Sequence, residues 1–266
     1  MDIALPTTRM LARIDGAIGW MVFNNPDRRN AVSSEMWAAI PAIMDAFEAD
    51  PAVRVIVLTG AGDKAFVAGA DISQFEQQRA TPEQVAAYEA ISDEAGRRIA
   101  TSPKPTIAMI SGFCIGGGVG IAIGADLRIA GEGAKFGIPA TRLGLGYGPS
   151  GVKKLMDLVG PSHVKEIFFT ARHFTAAEAL GMGLVNRVVP DAELEAYVRT
   201  YCATIADNAP LTMQAVKRTV AELSKASPDA DLAICDRLVQ ACFDSEDYVE
   251  GRRAFMEKRR PVFKGR

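Results

Sequence analysis

Two buried-strand runs, each handing over to a loop of small residues and then to a helix, limit what this chain can fold into. The first run is Val53–Thr59, continuous and β-branched, as expected of a strand covered on both faces. The loop Gly60–Asp71 follows. A helix then opens at Thr81-Pro82-Glu83, with Thr81 as cap and Pro82 at the first position, and ends before Ser102-Pro103. The second run is Thr106–Ile110, followed directly by Gly112-Phe113-Cys114-Ile115-Gly116-Gly117-Gly118. Gly117 or Gly118 begins the next helix, through Ile121, Ala122 and Ile123, and Leu127–Ala130 reads as a third strand. Strand, glycine-rich loop and helix in succession predict an α/β core.

Upstream, Met10–Asp15 and Ala17–Asn24 are two apolar runs broken by Asp15-Gly16, a hairpin signal. Ser33 or Ser34 can cap a helix to about Glu48, with Met36, Ile40, Ile43, Met44 and Phe47 as its apolar stripe. Beyond Asp191 the pattern turns helical, over about 191–207, 210–226, 228–244 and 245–257. The expected organisation is a core over residues 1–200 and a helical C-terminal region over 201–266.

The bulk properties exclude several classes. A chain of 266 residues makes one large domain, or a core with an appendage. No apolar run reaches the ~20 residues of a membrane helix, so no membrane partner is expected. Met1-Asp2-Ile3-Ala4 shows no basic region before an apolar stretch, so no signal peptide is expected and the cytoplasm is the expected compartment. Cys114, Cys202, Cys235 and Cys242 have no C-x-x-C spacing and read as free thiols. A net charge of −2 argues against nucleic-acid binding. The balance is uneven, however: residues 251–266 hold seven basic residues and a single acid, Glu257. That tail is either a solvated face or a phosphate contact, in the second case across a subunit boundary.

The glycine cluster carries no G-x-G-x-x-G, the chain has no Gly-Lys pair for a P-loop, and no G-x-S-x-G elbow is present. The two histidines, His163 and His173, stand alone, and no Cys or His has metal-ligand spacing, so no metal is expected. What remains is backbone. Lys64-Ala65-Phe66-Val67-Ala68-Gly69-Ala70-Asp71 and the glycine cluster are stretches whose amides lie uncovered. Two such N–H groups aimed at one carbonyl make an oxyanion hole, and Gly117 stands where a helix begins and its N–H is an orphan. On residue types alone, Gly116–Gly118 equally permit mere close packing of helix on strand.

Those two stretches resemble the signature segments of the crotonase (enoyl-CoA hydratase/isomerase) superfamily. So do Asn25-Pro26-Asp27-Arg28-Arg29-Asn30-Ala31, Thr170-Ala171-Arg172 with Ala176-Ala177-Glu178-Ala179-Leu180, Gly183-Leu184-Val185 and the run Glu250–Arg259. The likeness runs from about residue 10 to 263 in the family's order. It implies a right-handed spiral of ββα units with a helical C-terminal trimerisation region, assembled as a homotrimer or a dimer of trimers. It implies an acyl-CoA thioester as partner, with coenzyme A as part of the substrate and no separate cofactor. The N–H groups of Ala68 and Gly117 would form the oxyanion hole that holds an enolate. Ala68, Gly69, Ala70 and Asp71 would line the coenzyme, Arg28 would contact its nucleotide, and Lys258 would reach the phosphates from a neighbouring subunit.

The chain departs from the family's hydratases at the two catalytic glutamates, whose positions are Gly120 and Ala140 here. The aspartate of some isomerases would fall near Gly148. Asp71, Glu76 and Asp126 read as a loop cap, a solvated face and a turn before a strand. Tyr147, in Leu143-Gly144-Leu145-Gly146-Tyr147-Gly148-Pro149, is the reactive side chain left in that segment. The family's methylmalonyl-CoA decarboxylases resemble this chain there and at Asp244-Ser245-Glu246-Asp247-Tyr248, but carry a histidine where this chain has Ala70. Three readings therefore stand: a hydratase/isomerase-type enzyme without the two glutamates, a decarboxylase of malonyl-type thioesters using Tyr147, and a non-catalytic acyl-CoA binder or scaffold.

Overall fold

The computed structural model describes residues 1–71, 81–225 and 228–266. Strand β1 (Asp2–Ile3) adds to a hairpin of β2 (Met10–Asp15) and β3 (Ile18–Phe23). Asp15 pairs with Ile18, and Gly16 opens the two-residue turn at φ 59, where a side chain would be strained. Helix α1 (Ser34–Ala49) follows, then β4 (Val55–Gly60) and β5 (Ala65–Val67). Helix α2 (Pro82–Thr101) opens with the expected Thr81 cap, whose Oγ1 accepts from Gln84 N at 3.3 Å. Next come β6 (Thr106–Ile110), β7 (Phe113–Ile115), α3 (Gly117–Gly124), β8 (Leu127–Gly131) and β9 (Lys135–Gly137). A long helix α4 (Pro149–Thr170), kinked at Gly160, precedes β10 (Phe174–Thr175), α5 (Ala176–Gly181) and β11 (Arg187–Val189).

The strands sort into two sheets. The larger runs β1-β2-β3-β4-β6-β8-β11, parallel from β3 onward; the smaller runs β10-β9-β7-β5, parallel except for β10. Three turns of the chain, β4–β5–α2, β6–β7–α3 and β8–β9–α4, each lay one strand in each sheet and then add a helix, so the core is a spiral of ββα units. The period-two alternation of β4 divides the core. Ile56 and Leu58 face the interior with Phe66, Val119 and Phe136, whereas Val55 and Val57 face Trp20, Leu194 and Val198 on the outer side. That outer side is covered by helix α6 (Leu194–Ala206).

Helices α7 (Pro210–Leu223), α8 (Leu232–Phe243) and α9 (Glu246–Glu257) complete the C-terminal region. They are shorter than the sequence pattern suggests. Asp231 and Ser245 cap α8 and α9 by accepting from Ile234 N and Tyr248 N, and residues 191–193 form a separate 3-10 turn. Lys217 of α7 ties this region to the core: its Nζ reaches Asp126 Oδ2 at 2.7 Å, and the same oxygen accepts from Thr106 N. Asp126 is thus a structural anchor. Among the described residues no helix is long and apolar enough to cross a membrane.

Candidate active site

The site begins with the polar run Asn25–Val32. Pro26–Arg28 form a 3-10 turn, and Arg29 and Asn30 then take φ 52 and 57, the left-handed region that asparagine tolerates best among non-glycine residues. Asn30 is buried and fully used. Its Oδ1 accepts from Asn25 N at 3.0 Å, and its Nδ2 donates to Ala61 O and Ala65 O at 3.0 and 2.7 Å. A side chain at Gly60 would meet Ala65 O at 2.2 Å, so the chain entering β5 lies tight against this segment.

Ala68 N donates to Arg29 O (3.0 Å), Val32 N to Gly69 O (2.9 Å) and Asp71 N to Val32 O (3.0 Å). Regular extended chain alternates its N–H groups between two sides, which would turn those of Ala68 and Ala70 the same way. Gly69, at φ 102, breaks the alternation. The Ala70 N–H therefore turns away from the Arg29–Val32 segment. This corrects the sequence expectation at Ala68: its N–H is already spent on Arg29, whereas among the described residues no acceptor takes up that of Ala70.

The second loop brings in its partner. Gly116 N donates to Gly137 O at 2.8 Å, and Gly116 takes φ 55, which directs the chain into α3. A methyl on Gly118 would lie 2.1 Å from Val67 O, so only glycine lets α3 press this closely on β5. A methyl on Gly117 would sit 3.8 Å from Ala70 N and 3.8 Å from Trp37 Cζ2. One small space is thus bounded by the Gly117 backbone, the Ala70 amide and the Trp37 ring. Gly117 is the first residue of α3, where N–H groups lack intrahelical partners. Among the described residues no hydrogen bond takes up either the Ala70 or the Gly117 N–H.

Arg28 and Asp71 meet at the rim, Nη1 to Oδ1 at 3.6 Å, the carboxylate buried and the guanidinium exposed. Two of the expected coenzyme contacts are therefore each other's ion-pair partners. Gly120, on the same face of α3 as Gly117 one turn on, is exposed, and a side chain there would meet nothing within 4 Å among the described residues. Ala140 is buried in the 3-10 turn Pro139–Leu143. Neither position carries a carboxylate.

The structure brings together Arg28, Ala68, Gly69, Ala70, Asp71 and Gly117; Tyr147 and Lys258 belong to other segments. Tyr147 stands in the exposed stretch before α4, its ring edge-on to Phe168 at 4.9 Å. Lys258 ends α9 at φ 55. Glu76 lies outside the described residues. His163 Nδ1 donates to Val159 O, and His173 packs on the Phe113 ring, so both serve packing. Burial in apolar surroundings pushes the Cys114 thiol well up, which keeps it protonated and unreactive. Among the described residues no group of three His, Cys, Asp or Glu could hold a metal. Sequence reasoning gave no role to Asn30 or Trp37. The first was visible only as one member of the Asn25–Ala31 signature segment. The second sits three residues before Ile40 and could have been read as part of the α1 stripe.

The sequence profile of the enoyl-CoA hydratase/isomerase family matches residues 13–266. The chain belongs to the enoyl-CoA hydratase/isomerase family. It is 35% identical over 246 residues to the short-chain-enoyl-CoA hydratase of Clostridium acetobutylicum, spanning 92% of this chain and 94% of that one. It is 37% identical over 261 residues to a probable enoyl-CoA hydratase of Rhizobium meliloti, spanning 97% and 98%. Among solved structures, an enoyl-CoA hydratase/carnithine racemase of Magnetospirillum magneticum superposes with TM-score 0.92 at 35% identity, covering 98% of this chain and 97% of the other. The ββα spiral seen here is thus the fold of the enoyl-CoA hydratase/isomerase family, as the sequence resemblance implied.

Proposed function

We propose that this protein is an enzyme of acyl-CoA thioesters that polarises the thioester carbonyl between the N–H groups of Ala70 and Gly117 and stabilises the enolate that forms. The observation that carries this is that a methyl on Gly117 would lie 3.8 Å from Ala70 N, which sets these two backbone segments beside one space. A carbonyl oxygen there gains negative charge as the enolate develops. Two fixed donors, one at a helix N-terminus, then hold it more tightly than they hold the ground state. Arg28 beside Asp71 gives the rim a guanidinium for the coenzyme's phosphates. Coenzyme A enters as part of the substrate, and the reading needs no separate cofactor.

The reaction is proposed to proceed without carboxylates at the two usual positions. Hydration then requires its proton transfers from water or another side chain. Decarboxylation is the second reading, favoured by Gly120 and Ala140. Loss of CO₂ leaves the enolate directly, so no base need remove a carbon-bound proton, and the Tyr147 hydroxyl would be a hydrogen-bond donor. The proposed assembly is a homotrimer or a dimer of trimers. The C-terminal helices support it, with exposed Val216, Val220, Phe243, Phe255 and Met256 around an apolar cavity of about 930 Å³. Lys258 would reach a neighbour's coenzyme phosphates from there.

The test is mass spectrometry of crotonyl-, 3-enoyl-, malonyl- and methylmalonyl-CoA after incubation with the protein. Gain of water or double-bond migration supports the first reading, and loss of CO₂ the second. Binding without conversion of any thioester contradicts both.

A further inference from the structure

We infer that Trp37 is a specificity-determining residue, the rigid wall that decides which acyl groups fit beside the two amides. The inference rests on the acyl-thioester reading above and goes on to name the acyl class. Trp37 is on α1, six residues beyond the end of the Asn25–Ala31 segment. The methyl position on Gly117 that lies 3.8 Å from Ala70 N lies equally close to Trp37 Cζ2, on the benzo edge of the indole. A carbonyl oxygen held by the two amides therefore has this edge as a neighbour, and the carbon next to the carbonyl must pass it.

The wall is fixed from both ends. Trp37 is 6% exposed, and its helix neighbours Met36 and Ile40 are sealed in the core. The indole Nε1–H donates to Tyr88 Oη at 2.7 Å, and Tyr88 is itself buried on α2. Swinging the ring aside would break that bond and leave a buried N–H unpaired, a penalised state. The other direction is different. Around Gly120, one turn along α3, a side chain would meet nothing within 4 Å among the described residues. Among those residues the space is thus closed on the Trp37 side and open on the Gly120 side. It suits an acyl group unbranched next to the carbonyl, with any bulk carried toward Gly120.

The experiment compares kcat/KM on a series of acyl-CoA thioesters differing in chain length and in branching at the α-carbon. It uses the wild type and the variants Trp37→Ala, Trp37→Phe and Tyr88→Phe, each checked for folding by circular dichroism. Pocket contacts of one methylene are worth about 10–200-fold in discrimination. Trp37→Ala is expected to raise the preference for branched over unbranched thioesters by about tenfold or more. Tyr88→Phe and Trp37→Phe, which keep a ring but lose the anchoring bond, should shift it part-way. A binding readout stands beside activity. The chain has two tryptophans, so in Trp20→Phe the fluorescence reports Trp37 alone, and it should change on adding a non-hydrolysable acyl-CoA analogue. Unchanged selectivity in folded variants, or a silent Trp37 while calorimetry shows the analogue bound, overturns the wall while leaving the thioester reading intact. If no thioester is bound or converted by the wild type, both readings fall together.

Discussion

The proposed chemistry of this chain turns on which of two alanines keeps its amide free. Ala68 and Ala70 are neighbours in a run of small residues, and composition cannot separate them. The difference is made by Gly69 at φ 102: the Ala68 N–H goes to Arg29 O, while the Ala70 nitrogen lies 3.8 Å from where a methyl on Gly117 would sit. That the loop would present an amide was legible in the sequence. Which amide was not, because the answer lies in one backbone torsion and in a hydrogen bond to a residue about forty positions earlier. Among the described residues a methyl on Gly69 would meet only Ile115 O, at an ordinary 3.6 Å, so its cost is conformational and not steric. Gly69→Ala is expected to lose about 1–3 kcal/mol of stability, measured by chemical denaturation. Activity should fall with it, since relief of the strain turns the Ala70 N–H away. A variant as stable and as active as the wild type would show that this torsion positions nothing.

At the scale of elements, the long periodic segments were legible and the short ones were not. The strands β4, β6 and β8, the hairpin, α1, α2 and the C-terminal helices follow from hydrophobic pattern and caps. The smaller sheet escaped because β5, β7 and β9 have three residues each, too few to show alternation, and two of them lie inside the small-residue stretches that read as loop. Helix α4 escaped because Gly160 and Pro161 interrupt its pattern.

The C-terminal helices carry an electrostatic clamp that makes a prediction at this scale. The Glu222 side chain is 1% exposed and pairs with Lys225 at 2.6 Å and Arg218 at 2.8 Å, and it accepts from Asp231 N at 2.9 Å. The Lys225 ammonium, foremost, and the Asp231 N–H hold its pKa down to about 2, from an ordinary 4.5. A depressed carboxylate stabilises the fold fully above its unfolded pKa, and the contribution is lost as pH falls through the folded one. Glu222→Gln should therefore melt below the wild type at neutral pH, with the gap closing between pH 4.5 and about 2. Differential scanning calorimetry across that range checks it; a gap independent of pH would show that packing, not charge, is lost.

For the whole molecule, fold and family were legible because the motifs span the chain in order, and the matching profile covers residues 13–266. The assembly is argued from the exposed apolar face of the C-terminal helices. Light scattering should give a mass near three or six times the 28.4 kDa chain, and a monomer would remove Lys258 from the site. The proposed reaction depends on the two amides more than on any side chain, and the most direct measurement is kcat/KM for Gly117→Ala on the thioester the wild type converts best. Among the described residues the added methyl comes no closer than 3.8 Å to any atom, so the fold should stand, but it enters the space beside the Ala70 amide. A loss of roughly 10²–10³-fold, the usual cost of losing an oxyanion-hole donor, is the predicted result. Undiminished turnover in a folded variant would contradict the claim that Ala70 and Gly117 hold the reacting oxygen.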